Sequence, residues 1–186
     1  SQIPCHYSQH RSAKVFDYLD APKGAEYPFG HGLSYTSFKY EKVSLSGSSI
    51  RPGQSVQVEF DLTNSGKREG SEIVQLYAAG ESFEIARPSM ELKSFSRVSL
   101  NPGETKRVSL NLNADDLHFH DSSLQRVLPS GKYLISVGGS SGSQSQGIPL
   151  TTIPERVSSR PVQVIQTEGP LFAEKTKQPQ NSPNVL

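Results

Sequence analysis

From Phe38 onward, apolar and polar residues alternate along the chain. Val56, Val58, Phe60 and Leu62 are apolar, and Gln57, Glu59 and Asp61 between them are polar. A period of two places every second side chain on one face, so this stretch predicts a half-buried strand. The same period runs through Val108, Leu110 and Leu112, and through Tyr133, Ile135 and Val137. Phe38, Tyr40, Val43 and Leu45 predict a strand whose phase changes near Glu41-Lys42, as a bulge would require. Leu92, Phe95, Val98 and Leu100 predict another, again with a phase break. The run Ile73 to Ala79 is more continuously apolar and fits a central strand covered on both sides. Arg51-Pro52-Gly53, Thr63-Asn64-Ser65-Gly66, Asn101-Pro102-Gly103 and Leu128-Pro129-Ser130-Gly131 separate the runs as turns. Asp115 to Asp121 predicts a short turn leading into a strand. Ile148 to Thr152 predicts an edge strand, where Pro149 is tolerated. Six or seven short strands at this spacing, with no helical stripe, predict an all-β antiparallel sandwich.

The flanks differ. Residues 1–25 hold Ile3, Tyr7, Val15, Phe16, Tyr18 and Leu19 without a sustained period. They are too short to bury a core of their own and predict an extended leader. Ser140 to Gly147 has the composition of a flexible segment. Residues 153–186 are polar and Pro-containing, with Val162, Val164 and Ile165 as apolar points, and predict a disordered tail.

Between leader and sandwich stands Tyr27-Pro28-Phe29-Gly30-His31-Gly32-Leu33-Ser34-Tyr35-Thr36. Pro28 fixes its φ, and Gly30 and Gly32 permit positive φ or close approach of another backbone. Tyr27, Phe29 and Tyr35 offer large apolar area. A packing hinge and an active-site loop are both readings of such a stretch, and the packing hinge is the commoner use of aromatic, Gly-rich turns.

Composition narrows the function classes. Apolar content of 33% with 15 Gly and 13 Pro suits a turn-rich β-domain with an unstructured end. A net charge of +1 gives no electrostatic footprint for nucleic acid. No apolar run reaches the ~20 residues that span a membrane. The lone Cys5 has no internal disulfide partner and fits a buried or incidental thiol. The chain starts at Ser1 and its single Met is Met90, so it is expected to be a fragment or processed product of a longer protein.

Candidate chemistry is thin. No Gly-x-Ser-x-Gly elbow is present, and Ser34 has no following helix. His118 and His120 share a strand face, with Asp116 and Asp121 nearby, but no metal-ligand spacing rule is met, and capping or surface roles are expected. Asp115 and Asp116 are adjacent, so on a strand they would face opposite ways. In a turn, such residues cap backbone N–H groups. Asp17, Asp20 and Glu26 have nothing around them to tune a carboxyl.

Four blocks in register carry a resemblance. The stretch Tyr27 to Thr36 resembles the junction motif of glycoside hydrolase family 3, the β-glucosidases and β-xylosidases. Leu62-Thr63-Asn64-Ser65-Gly66 with Gly70 to Tyr77 follows, then Pro88 to Phe95 running into Val98 to Glu104, then Gly131-Lys132-Tyr133 through Val137 to Ser141. Together they resemble the fibronectin type III-like domain at that family's C-terminus, over residues 26–152. Gln2-Ile3-Pro4, Tyr7 and Tyr18-Leu19-Asp20 are similar to the end of the family's preceding α/β sandwich domain and its linker, residues 1–25. Ser94 departs from the family, which commonly has Gly there.

The resemblance implies a parent enzyme that removes terminal β-linked sugars with retention, using an Asp nucleophile and a carboxylic acid. Both lie in domains upstream of Ser1, and no residue here matches either motif. It therefore implies no catalytic, cofactor-binding or metal residue in this chain, and no cofactor. It implies a domain-docking role for Tyr27, Phe29, Gly30, Gly32, Leu33 and Tyr35, which would pack on the upstream catalytic domains of the same enzyme. A contribution of that stretch, or of Ile85 to Met90, to the rim of the sugar site is a lesser expectation. An oligosaccharide or β-glycoside would be met only through those domains. The compartment implied is periplasmic or secreted. A free-standing fibronectin-like adhesion or carbohydrate-binding module is the rival reading, and a degraded gene remnant a third.

Overall fold

The computed structural model describes residues 25–81, 88–121 and 124–154. The leader before residue 25, Cys5, Ile85 to Arg87, and the tail from residue 155 lie outside the described residues. Eleven strands follow in order: β1 (Phe38–Leu45), β2 (Ser49–Ile50), β3 (Ser55–Asn64), β4 (Gly70–Gly80), β5 (Glu91–Leu100), β6 (Thr105–Asn113), β7 (Phe119–His120), β8 (Arg126–Val127), β9 (Gly131–Ser140), β10 (Ser143–Gln144) and β11 (Ile148–Thr152). Seven of them exceed two residues, matching the strands predicted from alternation. A 3-10 turn, Ala114–Leu117, follows β6.

One sheet has the order β1-β3-β6. The other runs β2-β11-β9-β4-β5, with β10 folded onto β9. Pairing is antiparallel apart from β11 with β2, where Thr151 and Thr152 lie parallel to Ser49 and Ile50. The predicted edge strand at β11 is therefore covered over its second half. The inward faces of both sheets meet in one core. Val56, Val58, Phe60, Leu62, Val108, Leu110 and Leu112 face Val74, Leu76, Ala78, Tyr133, Ile135 and Val137. Burying side chains of this kind contributes roughly 1.5–3 kcal/mol each, the main favourable term in such a domain.

Both phase breaks are bulges. On β1 the register slips between Glu41 and Ser44, and Lys42 takes φ +50°. Arg107 on β6 reaches across this slip. Its guanidinium donates to Lys42 O at 3.2 Å and Ser44 Oγ at 3.1 Å, and pairs with Glu59 and Asp61 at 3.1 Å each. On β5 the slip falls between Ser94 and Leu92, opposite Leu76 and Tyr77. The slip puts Leu92 in register with outward Tyr77, whereas Phe95, five residues before inward Leu100, faces outward by plain alternation and is 67% exposed.

Central strand β4 is covered on both faces, as its apolar run predicts. Val74, Leu76 and Ala78 enter the core, so Gln75 and Tyr77 stand on the outer face. Both are nonetheless buried, at 4% and 0% exposure. Their cover comes from the junction stretch and from β10.

Candidate domain-docking surface

The junction stretch is built as a turn followed by an extended run. His31 N donates to Pro28 O at 2.9 Å, closing a four-residue turn with Gly30 at φ +80°. A positive φ at the third turn position suits glycine, because an L side chain there meets its own backbone. Gly30 also needs to be small. A Cβ on it would stand 2.8 Å from Gln75 Cδ. At Gly32 a Cβ would meet nothing within 4 Å, so nothing among the described residues demands glycine there.

Two ties hold the turn on the outer face of the larger sheet. Ser141 N donates to Phe29 O at 2.8 Å. The Pro28 ring lies against Gly142, where a Cβ would come within 3.0 Å of Pro28 Cβ. Beneath Gly30, Gln75 Nε2 donates to Gly139 O at 2.7 Å, and the Tyr77 hydroxyl donates to Gln75 Oε1 at 2.5 Å. The floor is thus polar in composition but satisfied internally, as buried polar groups must be.

The far end of the stretch is fixed by Asn64. This residue is fully buried at the end of β3. Its Oδ1 accepts from Thr36 Oγ1 at 2.5 Å and from Gly66 N at 3.1 Å. Its Nδ2 donates to Arg68 O at 2.8 Å and to Leu100 O at 3.1 Å. Both lone pairs of the oxygen and both N–H groups of the primary amide are therefore used. Gly66 and Gly70 both crowd Thr36, so neither position has room for a side chain without movement.

With its inner side clamped, the stretch turns its large side chains outward. Tyr27 is 70% exposed, Phe29 49%, Leu33 95% and Tyr35 90%. Tyr27 packs on His31 with ring centroids 5.3 Å apart. The Arg68 guanidinium sits 5.8 Å from the Tyr35 ring centroid, within cation–π range. Exposed apolar side chains gathered on one segment make this stretch the candidate interaction surface.

The other sequence candidates do not converge. Asp116 caps: its Oδ2 accepts from Asn113 N at 2.9 Å. His118 Nδ1 lies 3.0 Å from Ala114 O and 3.5 Å from Asp115, which accounts for it as a capping side chain. His120 is exposed on β7. Among the described residues no three His, Cys, Asp or Glu gather as metal ligands. None of the helical residues described forms a segment long and apolar enough to cross a membrane.

One polar pair was not anticipated from the sequence. Glu72 lies on the inward face of β4, in register with Val98, and its carboxylate rests on the Cα of Gly139. Burial pushes its carboxyl above the usual glutamate range. The Tyr40 hydroxyl is buried without a hydrogen-bond partner among the described residues, and its ring packs on Phe60 at 5.7 Å. Burial, followed by the nearby Glu72 charge, pushes its phenol well up. The sequence signal was weak: Glu72 follows Gly70-Ser71 and looks like an exposed strand start.

Comparison with known proteins places this architecture. The fibronectin type III-like domain family matches residues 72–141. A beta-xylosidase of Formosa agariphila is 41% identical over 124 residues, 67% of this chain and 17% of that protein. A periplasmic beta-glucosidase of Salmonella typhimurium is 33% identical over 156 residues, 78% of this chain and 20% of that protein. Among solved structures, the beta-glucosidase of Listeria innocua superposes with a TM-score of 0.73 at 31% identity, covering 81% of this chain and 22% of that one. The chain thus spans about a fifth of the length of these relatives. Residues 72–141 are a fibronectin type III-like domain, and the chain matches the C-terminal parts of the family 3 β-glucosidases and β-xylosidases.

Proposed function

We propose that this chain is the non-catalytic C-terminal portion of a β-glycosidase that hydrolyses terminal β-linked glucosyl or xylosyl residues. Its task is to brace the catalytic domains that precede it in the polypeptide. The observation that carries this reading is the two-sided junction stretch: Pro28, Gly30 and Thr36 are locked onto the sandwich, while Tyr27, Phe29, Leu33 and Tyr35 face outward. A glycosidase needs two carboxyl groups flanking one bond, about 5–5.5 Å apart for retention. Asp116 caps a turn, Glu59 and Asp61 pair with Arg107, and Glu72 is half-buried; the proposal assigns this chain no step of the chemistry. Periplasmic or secreted placement is part of the proposal, supported by the periplasmic relative.

The rival reading, a carbohydrate-binding module, draws on one observation, the 90% exposed ring of Tyr35. Arg68 over that ring occupies one of the two faces a sugar would stack on. The bracing reading is tested by hydrolysis of chromogenic β-glucoside and β-xyloside. Residues 1–186 alone should be inactive, and the same chain joined to its upstream domains should turn over. Turnover by 1–186 alone would overturn the proposal. Binding of an insoluble β-glucan by 1–186, lost in Tyr35→Ala, would favour the module instead.

A further inference from the structure

We propose that the docking surface extends past the junction stretch to Phe95 on β5, and that its occupant is an apolar face of the same polypeptide upstream of Ala25. This rests on the bracing reading above. Six large apolar side chains are exposed among the described residues: Tyr27, Phe29, Leu33, Tyr35, Phe95 and Leu124. Four belong to the junction stretch. Phe95 joins them through the sheet register. It pairs directly with Gln75, the residue on which Gly30 rests. Directly paired side chains on one sheet face stand about 5 Å apart, so Phe95 and the Phe29-Gly30 turn are neighbours.

The surface follows the outer faces of β4 and β5. Gly30 lies over Gln75 there, whereas Thr36 meets Gly70 from the inward side, in register with Leu100, so the Phe29-Gly30 end of the stretch is the part on this run. On β5, Phe95, Arg97 and Ser99 flank that run and are all exposed. Ile73, half-buried and in register with Arg97, lies between. The result is an apolar surface with two cations, Arg97 alongside Phe95 and Arg68 at the Tyr35 ring. A facing surface of apolar side chains with carboxylates at those two places would complement it.

The upstream polypeptide is the favoured occupant for two reasons. The chain reaches this surface at Ala25, two residues before Tyr27, so whatever precedes it is held at high effective concentration. A net charge of +1 supplies no field to steer in a separate macromolecule.

Hydroxyl-radical footprinting tests the idea without a mutation that might unfold the domain. Oxidation of Phe95 and Tyr35 is compared between residues 1–186 and the complete polypeptide that contains them. Both should fall several-fold in the complete protein, in step with the loss of exposures of 67% and 90%. Protection of Tyr35 without Phe95 overturns the extension and leaves the bracing reading intact. Protection of neither overturns both. Protection in the complete protein that fades on dilution assigns the surface to a second copy and overturns the upstream occupant.

Discussion

Asn64→Ala is the substitution that best separates the sandwich from its junction. Asn64 is fully buried and makes four side-chain hydrogen bonds, to Thr36, Gly66, Arg68 and Leu100. A net hydrogen bond is worth about 1 kcal/mol, and a buried group left without its partner costs about 1–3 kcal/mol. The Leu100 carbonyl is the most buried of the four partners, so its loss carries the larger figure. The sum is about 4–6 kcal/mol, set against a total stability of about 5–15 kcal/mol for an ordinary domain. Urea denaturation of 1–186, followed by far-UV circular dichroism, should show a midpoint shifted strongly downward. The slope should be unchanged, because the exposed area on unfolding is the same. Thermal melting should fall by about 10–20 °C, at about 3 °C per kcal/mol for a domain of this size. Asn64→Asp refines the test. It keeps both acceptor contacts but loses both donors and sets a carboxylate against the Arg68 and Leu100 carbonyls. Its deficit should be larger at pH 7 than at pH 4, where a protonated carboxyl donates again. A loss below about 1 kcal/mol for Asn64→Ala would refute the argument that this amide fastens the stretch.

Three further outcomes are expected. Gly30→Ala should cost about 2–4 kcal/mol, from a left-handed backbone plus collision with Gln75. Gly53→Ala and Gly103→Ala, with similar φ but open space, should cost only the backbone share of about 1–2 kcal/mol, and equal losses at all three in chemical denaturation would contradict this. Glu72→Gln should stabilise the domain at neutral pH. Burial raises the folded carboxyl above its unfolded value, so the folded state holds the proton more tightly, and wild-type stability falls as pH rises from the usual glutamate range through the folded pKa. The variant's advantage in melting temperature should widen over that window and vanish below it; a constant gap would exclude titration as the cause. Finally, 1–186 should self-associate through its exposed stretch, and the double change Leu33→Ser with Tyr35→Ser should restore a monomer by light scattering without lowering the melting temperature.

Much of this was legible in the sequence. Val56 to Leu62 and Val108 to Leu112 alternate cleanly, because each strand buries one face against the opposite sheet. Both bulges announced themselves as phase breaks. Three two-residue strands, β2, β8 and β10, did not, since a period of two cannot be seen in two residues. The apolar run in β4 correctly implied cover on both faces. Nothing in the pattern said that the outer cover is the Pro28 to Gly30 turn with β10, because those contacts join residues more than forty apart. Asn64 looked like an ordinary turn residue closing a strand. Its four partners come from three separate segments and exist only in the folded chain. Phe95 counted as one more apolar strand residue, and only its pairing with Gln75 on the outer face shows that it points to solvent.

The clamp beneath the junction stretch has a consequence for how a partner would be held. A loop that orders only on contact must give up about 1–2 kcal/mol of backbone entropy per residue, which for the ten residues Tyr27 to Thr36 would cancel most of a modest interface. Here the turn at Gly30, the Ser141 to Phe29 bond and the Asn64 to Thr36 bond set that backbone in advance. The stretch is preorganised, so contact area at its aromatic rings converts to affinity with little ordering loss. A prefixed backbone also transmits orientation: any body seated on these rings takes its angle from the sandwich, which makes the domain a rigid angular gauge rather than a tethered weight.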